Sequence, residues 1–407
     1  MGPSYAGLDH WRVGTWLRSC SLIGLCGVMI LMSGGMREKA DAAEWSAAPS
    51  LSVKGLYNSN LLLFNGHNQV WGDWVTPDLR FKGSTEALWV EGGLRAEFVH
   101  YYGDQERAFT NLYFPLKASY SSDRNTFGFD GGFTRDNTLQ GELQRTGLVL
   151  AFTQRSLLTA APSWTFGLTE RLSWQSGYQF TNAEYENGIQ LGLVNYQVQA
   201  GNSGMTYNLG ERDQIQLTGE YTLVSTPSIS QTSSYYGVQG GGTHDFGREL
   251  IGTISGGIRF VNSTRGSLSD HTTVGVYSAT LSKRFERTTI QIDGSRNINP
   301  SGFGRLLKTD RVGGSLSHNL TETLTASLTG GLYFVEAVVT QSSGGTLPQT
   351  RFVSVNPAIS WKFSPWWTVD VSYTYAERAV GSLNQWNFAN STFVMLTYGG
   401  PKWSVSR

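Results

Sequence analysis

Apolar and polar residues alternate strictly over ten or more positions at a time, and this pattern most narrows what the chain can fold into. From Glu86 to Tyr101, Leu88, Val90, Gly92, Leu94, Ala96 and Phe98 share one parity, while Glu91, Arg95 and Glu97 share the other. Leu172, Trp174, Tyr178 and Phe180 oppose Ser173, Gln175 and Gln179 in the same way, and Ile215, Leu217, Tyr221 and Leu223 oppose Gln214, Gln216, Thr218 and Glu220. Later stretches repeat it: Leu324, Ala326, Leu328, Leu332 and Phe334 against Thr325, Ser327 and Thr329, then Val369, Val371, Tyr373 and Tyr375 against Asp370, Ser372 and Thr374. Successive side chains of a strand point to opposite faces, so each segment is a strand with one apolar face. Helical spacing is nowhere sustained.

Segment length then separates soluble from membrane-spanning sheet. Strands in soluble domains run about 5 to 6 residues, whereas crossing a bilayer takes about 9 to 11. These segments are of the long kind. Short polar connections fall at Gly83-Ser84-Thr85, Ser122-Asp123-Arg124, Thr169-Glu170-Arg171, Gly210-Glu211-Arg212-Asp213, Gly247-Arg248, Glu286-Arg287, Thr321-Glu322-Thr323 and Ser364-Pro365. Longer ones are expected at Ser225 to Ser233, Asn262 to His271, Asn297 to Arg305 and Gln341 to Gln349. With single strands at Leu51 to Tyr57 and Phe393 to Tyr398, the pattern predicts an all-β, transmembrane, antiparallel up-and-down barrel of about eighteen strands, sixteen being the other even count. The short turns would face the periplasm and the longer loops the cell exterior. Closure is required because hydrocarbon offers no hydrogen bonds to a sheet edge.

Charge placement follows the same parity. Lys54, Asp78, Arg80, Lys82, Glu91, Arg95, Glu97, Glu220, Arg259, Asp293 and Asp370 fall on the polar face and are expected to line the lumen. Lys283 takes the apolar parity, but it lies beside a turn where a long side chain can reach the headgroups. The phase between Val198 and Met205 suggests a bulge at Asn202 to Gly204. After Tyr398 a tail from Gly399 to Arg407 is expected.

Composition agrees. Charged residues make up 15% of the chain against about 25% in soluble domains, the difference being taken by small and neutral polar residues, with 49 Gly among them. Aromatics reach 13%, including 13 Trp and 18 Tyr, residues that collect where apolar and wet surroundings meet. Trp174, Trp361, Trp366 and Trp367 are expected in interfacial girdles, whereas Trp89, on the parity of Glu91 and Arg95, is the candidate saccharide contact. The balance of 31 basic and 31 acidic residues argues against a nucleic-acid partner, which needs a basic surface.

Residues 1 to 42 read as an export signal. Arg12 and Arg18 precede the apolar run Ser21 to Met32, and Ala40-Asp41-Ala42 offers a cleavage site after Ala42. Residues 43 to 407 then form a single outer-membrane barrel domain of a Gram-negative cell. Cys20 and Cys26 both lie in the signal, which removes thiol chemistry, disulfides and cysteine-bound zinc from the exported part.

No catalytic residue, metal site or cofactor is expected. His67, His100, His244, His271 and His318 show no metal-ligand spacing. His100, with Glu97 and Asp104 nearby in sequence, is the best acid-base candidate against the plainer reading of a solvated rim residue. A barrel hydrolase, whose triad would converge only in three dimensions, stays open as an alternative. Gly240-Gly241-Gly242 precedes no helix and is therefore no phosphate loop.

Leu56-Tyr57-Asn58-Ser59-Asn60, the stretch Pro162-x-x-x-Phe166-x-Leu168-Thr169-Glu170-Arg171-Leu172-Ser173, Tyr178 and Tyr185, and the echo Tyr207-x-Leu209-Gly210-Glu211-Arg212 resemble outer-membrane β-barrel proteins associated with exopolysaccharide and PEP-CTERM (exosortase) gene clusters. The first motif departs from that family, where it looks like Tyr-Ser-Asp-Asn. The resemblance implies a role in moving polysaccharide to or across the outer membrane, with membrane lipid, saccharide and a periplasmic export component as partners. It carries over no functional residue. The preferred reading is a porin-like channel or export component for polar solute; a non-conducting structural or assembly barrel of a surface polysaccharide system and the barrel hydrolase are the alternatives.

Overall fold

The computed structural model describes residues 43–63, 68–103, 106–141, 152–338, 349–381 and 385–406, so the expected export segment lies outside the described residues. The strands are β1 (Glu44–Asn58), β2 (Val70–Ser84), β3 (Leu88–Gly103), β4 (Arg107–Ser122), β5 (Asn125–Asn137), β6 (Gln154–Gly167), β7 (Leu172–Tyr185), β8 (Tyr196–Asn208), β9 (Asp213–Thr226) and β10 (Gln231–Gly247). They continue with β11 (Leu250–Arg265), β12 (Leu268–Arg284), β13 (Thr288–Pro300), β14 (Leu306–Asn319), β15 (Leu324–Ala337), β16 (Thr350–Trp361), β17 (Trp367–Val380), β18 (Gln385–Gly399) and the short β19 (Trp403–Ser406). Consecutive strands pair antiparallel, and β1 pairs with both β2 and β18, which closes the sheet into an eighteen-stranded barrel. No edge is left along β1, as a bilayer requires.

The short turns close where the sequence places them, and three share one chemistry. In Leu168 to Leu172 and again in Leu320 to Leu324, the first two amides donate to the carbonyl of the last leucine. Thr169 Oγ1 accepts from the Arg171 and Leu172 amides at 3.2 and 3.0 Å, and Thr321 Oγ1 accepts from Thr323 and Leu324 at the same two distances. Leu209 and Gly210 repeat the backbone pair onto Asp213. A threonine hydroxyl at the head of a tight turn satisfies amides that the ladder cannot reach.

The outer face is apolar. Leu94, Phe98, Leu217, Ile254, Ile292 and Val312 all expose their side chains there, and the alternate residues point into the lumen. Trp164 packs at 5.2 Å from Trp174 and 6.0 Å from Phe166, Trp361 at 5.5 Å from Phe363, and Trp367 at 5.0 Å from Tyr398, which builds an aromatic girdle toward the short-turn rim. This face predicts its own test. Leu217→Arg, at a residue 60% exposed, should cost the barrel about 2 to 4 kcal/mol of folding stability in lipid vesicles, read from the urea midpoint. Gln216→Arg, one residue away on the lumen side, should change it little.

The structure corrects four sequence expectations. Strand β8 has no bulge at Asn202 to Gly204: its registers with β7 and β9 run without a break, so Val198 and Met205 face opposite ways. Val198 is apolar because it packs inside the barrel, not because it meets lipid. The bulge that does occur lies between Asp245 and Gly247. The connections at Ser225 to Ser233 and Asn262 to His271 are mostly strand, reduced to 227–230 and 266–267, because polar strands can continue beyond the bilayer into water. The tail after Tyr398 is not loose either. Trp403–Ser406 pairs with residues 44–47 of β1, one residue out of register with β18. Pro49 and Pro401 lack amides for the ladder at that point, and Gly400 donates to the Pro49 carbonyl at 2.8 Å. Most of Gln341 to Gln349 lies outside the described residues.

Candidate functional site: a charged lumen with an inward-folded mouth

Strands β1 to β5 carry a stripe of opposite charges on their inner face. Arg80 Nε lies 3.0 Å from Asp78 Oδ2, and Lys117 Nζ lies 3.1 Å from Asp130. Glu91 stands opposite Lys82 on one side and Lys117 on the other. Glu97 accepts from Asn111 Nδ2 at 3.0 Å and from the Tyr113 hydroxyl at 3.2 Å, with Arg95 Nε at 3.6 Å. The Arg95 guanidinium lies 4.1 Å over the Tyr113 ring, while the Lys54 ammonium sits between the Trp74 and Phe393 rings at 4.2 and 4.9 Å. Asp78, Arg80, Glu91, Arg95, Tyr113 and Lys117 line a recess of about 340 Å³ that opens to the lumen. Groups of both signs on one short stretch of wall present donors and acceptors together, with little net field.

The other expected lumen residues are spread around the wall rather than gathered here. Glu220 pairs with Arg259, whose guanidinium also donates to Gln239 at 2.9 Å. Asp293 pairs with Arg311, which donates to the Tyr333 hydroxyl at 3.2 Å. Asp370 stands on the inner face between Ser360 and Met395. Trp89 is one inward step from Glu91, at the short-turn mouth, and does not line the recess.

His100 and Glu97 are not brought together. They take opposite parities of β3, so Glu97 enters the lumen while His100 turns outward beside Tyr102, 3.4 Å from Glu106. Asp104 and His67 lie outside the described residues. His244 meets Asp213 at 2.6 Å on the outer surface, His271 meets Asn262 at 2.6 Å, and His318 meets Thr288 at 2.8 Å. Among the described residues, no group of three His, Cys, Asp or Glu is placed to hold a metal ion.

The sequence pattern missed what fills the opposite mouth. If the β7–β8 and β13–β14 connections both stayed in the wall, a third of the circumference apart, about 30 Å would separate them for strands ~4.8 Å apart and tilted ~40°. Instead the Val194 amide donates to the Gly302 carbonyl at 2.7 Å. Added Cβ atoms at Gly302 and Gly304 would collide with the Tyr185 ring and with Ile229 and Val194, at 2.7 to 3.0 Å. Gly304 has φ +70, a left-handed turn that glycine adopts without strain. Leu193, Tyr196, Val198, Val224, Val261 and Leu306 form one buried apolar cluster on the inside of the barrel. Partly buried in this mouth, with Arg265 beside it, the Arg305 guanidinium is pulled below its ordinary value. On the other side Leu63 packs on Phe352 and Ala389, and its carbonyl accepts from Arg378 at 2.8 Å. Below the mouth, Arg155 forks onto Asp136 at 3.0 and 2.8 Å, both side chains almost fully buried. Inward apolar residues such as Val224 and Val261 give no sign in a sequence of belonging to a plug, because a lipid-facing residue looks the same.

No protein-family model matches the chain, and no curated protein matches it. Solved structures do. OccK5 (OpdH) of Pseudomonas aeruginosa matches at 11% identity over 87% of this chain and 98% of its own, with a TM-score of 0.45. OpdK of the same organism, solved with vanillate, matches at 10% identity over 88% and 99%, with a TM-score of 0.46. OccAB3 of Acinetobacter baumannii matches at 10% identity over 88% and 99%, with a TM-score of 0.43.

Proposed function

We propose that this barrel is an outer-membrane channel for polar solute, weakly selective for charge, with saccharide as the solute class. The mixed-sign recess on β1 to β5 carries the reading: lysine, arginine, aspartate and glutamate alternate over one patch of an aqueous wall, with the Tyr113 ring beside them. Eighteen strands enclose a lumen wide enough for water. The outer girdle and the short-turn rim fit a Gram-negative outer membrane with those turns in the periplasm. The resemblance to barrels of exopolysaccharide gene clusters supports a role in export of a surface polysaccharide, with a periplasmic component delivering it. No catalytic role is proposed.

Single-channel recording of the protein in a planar bilayer tests this. Discrete open steps with near-equal passage of potassium and chloride, reduced by added oligosaccharide, are expected. Strong preference for either ion would overturn weak selectivity. The folded-in mouth favours a second reading, a closed structural barrel of the same polysaccharide system, and a heat-resistant barrel that never conducts would establish it in place of the first.

A further inference from the structure

One seam in the wall is not closed by hydrogen bonds. Strands β12 and β13 pair from Arg284↔Thr289 only as far as Tyr277↔Arg296. Above that point β12 continues, paired with β11 through His271↔Asn262 and on to the hairpin tip. Strand β13 continues too, paired with β14 through Pro300↔Leu306. The two adjoining hairpins therefore part company. The split begins eight residues above Thr288, on the order of 20 Å from the short-turn rim for ~3.3 Å per residue and ~40° tilt, which is the outer part of a hydrocarbon band ~25 Å tall.

Side-chain burial shows where β13 goes. Ile290, Ile292 and Arg296 share the outward parity of Ile298, yet Ile298 is buried in the inner cluster with Val274 of β12 and Val261 of β11. A residue of outward parity packs with the inner faces of two other strands only if β13 curls inside β12. Above Tyr277 the wall is thus an overlap held by apolar contact. Behind it lies a cavity of about 180 Å³ between Ile298 and Pro300 on one side and Tyr196, Val198 and Thr222 on the other. At the lower end of the split, on the outward face, the Arg296 guanidinium forks onto Asp310 at 2.5 and 2.9 Å, and the Tyr277 hydroxyl donates to Asp310 at 3.2 Å. Ion pairs are costly on a lipid-facing wall and fit a place where polar groups arrive from the bilayer surface.

We propose that the β12–β13 overlap is a lateral passage between the lumen and the outer leaflet, taken by an amphiphile whose acyl or alkyl chain slides past Ile298 while its polar head stays in the lumen. This goes beyond the passage of polar solute, because it assigns the barrel a route into the membrane that a solute channel does not need. The apolar inner surface at this height is the lining such a chain requires.

Photolabelling tests it. The protein, purified from membranes, is placed in phosphatidylcholine vesicles containing phosphatidylcholine with a diazirine in one acyl chain, irradiated, and mapped by mass spectrometry. A two-chain lipid does not cross water to the lumen, so it can reach inward residues only through the wall. Adducts are expected on Tyr196, Val198 and Val224 as well as on the outward Leu217 and Ile254, and Ile298→Gly should raise the inward adducts several-fold while leaving the outward ones unchanged. Labelling confined to Leu217, Ile254 and their outward neighbours in both proteins would overturn the proposal and make the overlap a static closure. The readout is independent of conductance, so a barrel that conducts and takes no inward label separates this passage from the solute channel.

Discussion

Arg155→Leu is expected to destabilise the folded barrel by about 3 to 5 kcal/mol, because it removes the guanidinium that neutralises the buried Asp136 carboxylate. The pair is bidentate, and both side chains are less than a tenth exposed, so water cannot take over the lost bonds. Asp136→Asn in the same background should recover most of the loss, since a neutral amide costs far less to bury than a lone carboxylate. Urea-driven unfolding from vesicles measures both proteins, and the double-mutant cycle isolates the pairing. The same substitution at Arg80, whose side chain is 74% exposed in the lumen, should shift the midpoint little. Equal losses at Arg155 and Arg80 would mean that the lumen is drier than its charged stripe implies.

The wall was legible from sequence because one physical rule governs nearly every residue in it. A transmembrane strand must alternate, so Leu94 and Arg95, or Leu217 and Gln216, announce their faces by type alone. The turns were legible for a similar reason, since Thr169 and Thr321 head the same hydrogen-bonded loop. The parity rule says only which of two faces a residue takes, and this limited the rest. Val198 and Val224 read as lipid-facing type but point inward, and only the plug that covers them explains it. Ile298 inverts the rule, having outward parity with an interior environment, because the strand itself leaves the wall. Asp136 and Arg155 are nineteen positions apart, and nothing in their neighbourhoods marks them as partners. The register between β5 and β6 brings Asp136 opposite Arg155, a fact of pairing and not of pattern.

Conductance should depend more on the folded-in mouth than on the charged recess, and Leu193→Asp is the variant expected to show it. Leu193 is 2% exposed inside the apolar cluster, and its amide donates to the Gly188 carbonyl at 2.7 Å, holding a tight turn against the inner wall. Burying an unpaired carboxylate there costs several kcal/mol, more than the contacts of one short loop return, so the loop should swing out into water. The ladders on both sides of it, β6 to β7 and β8 to β9, do not pass through Leu193, and the barrel should keep its resistance to heat in detergent. Single-channel current is then expected to rise several-fold at fixed voltage. Arg80→Glu with Lys117→Glu, which leaves the mouth untouched, should move the reversal potential in a salt gradient toward cations while changing the current much less. If the current follows the charge reversal and ignores Leu193→Asp, the constriction lies at the recess, and the inward loops serve the wall instead of the channel.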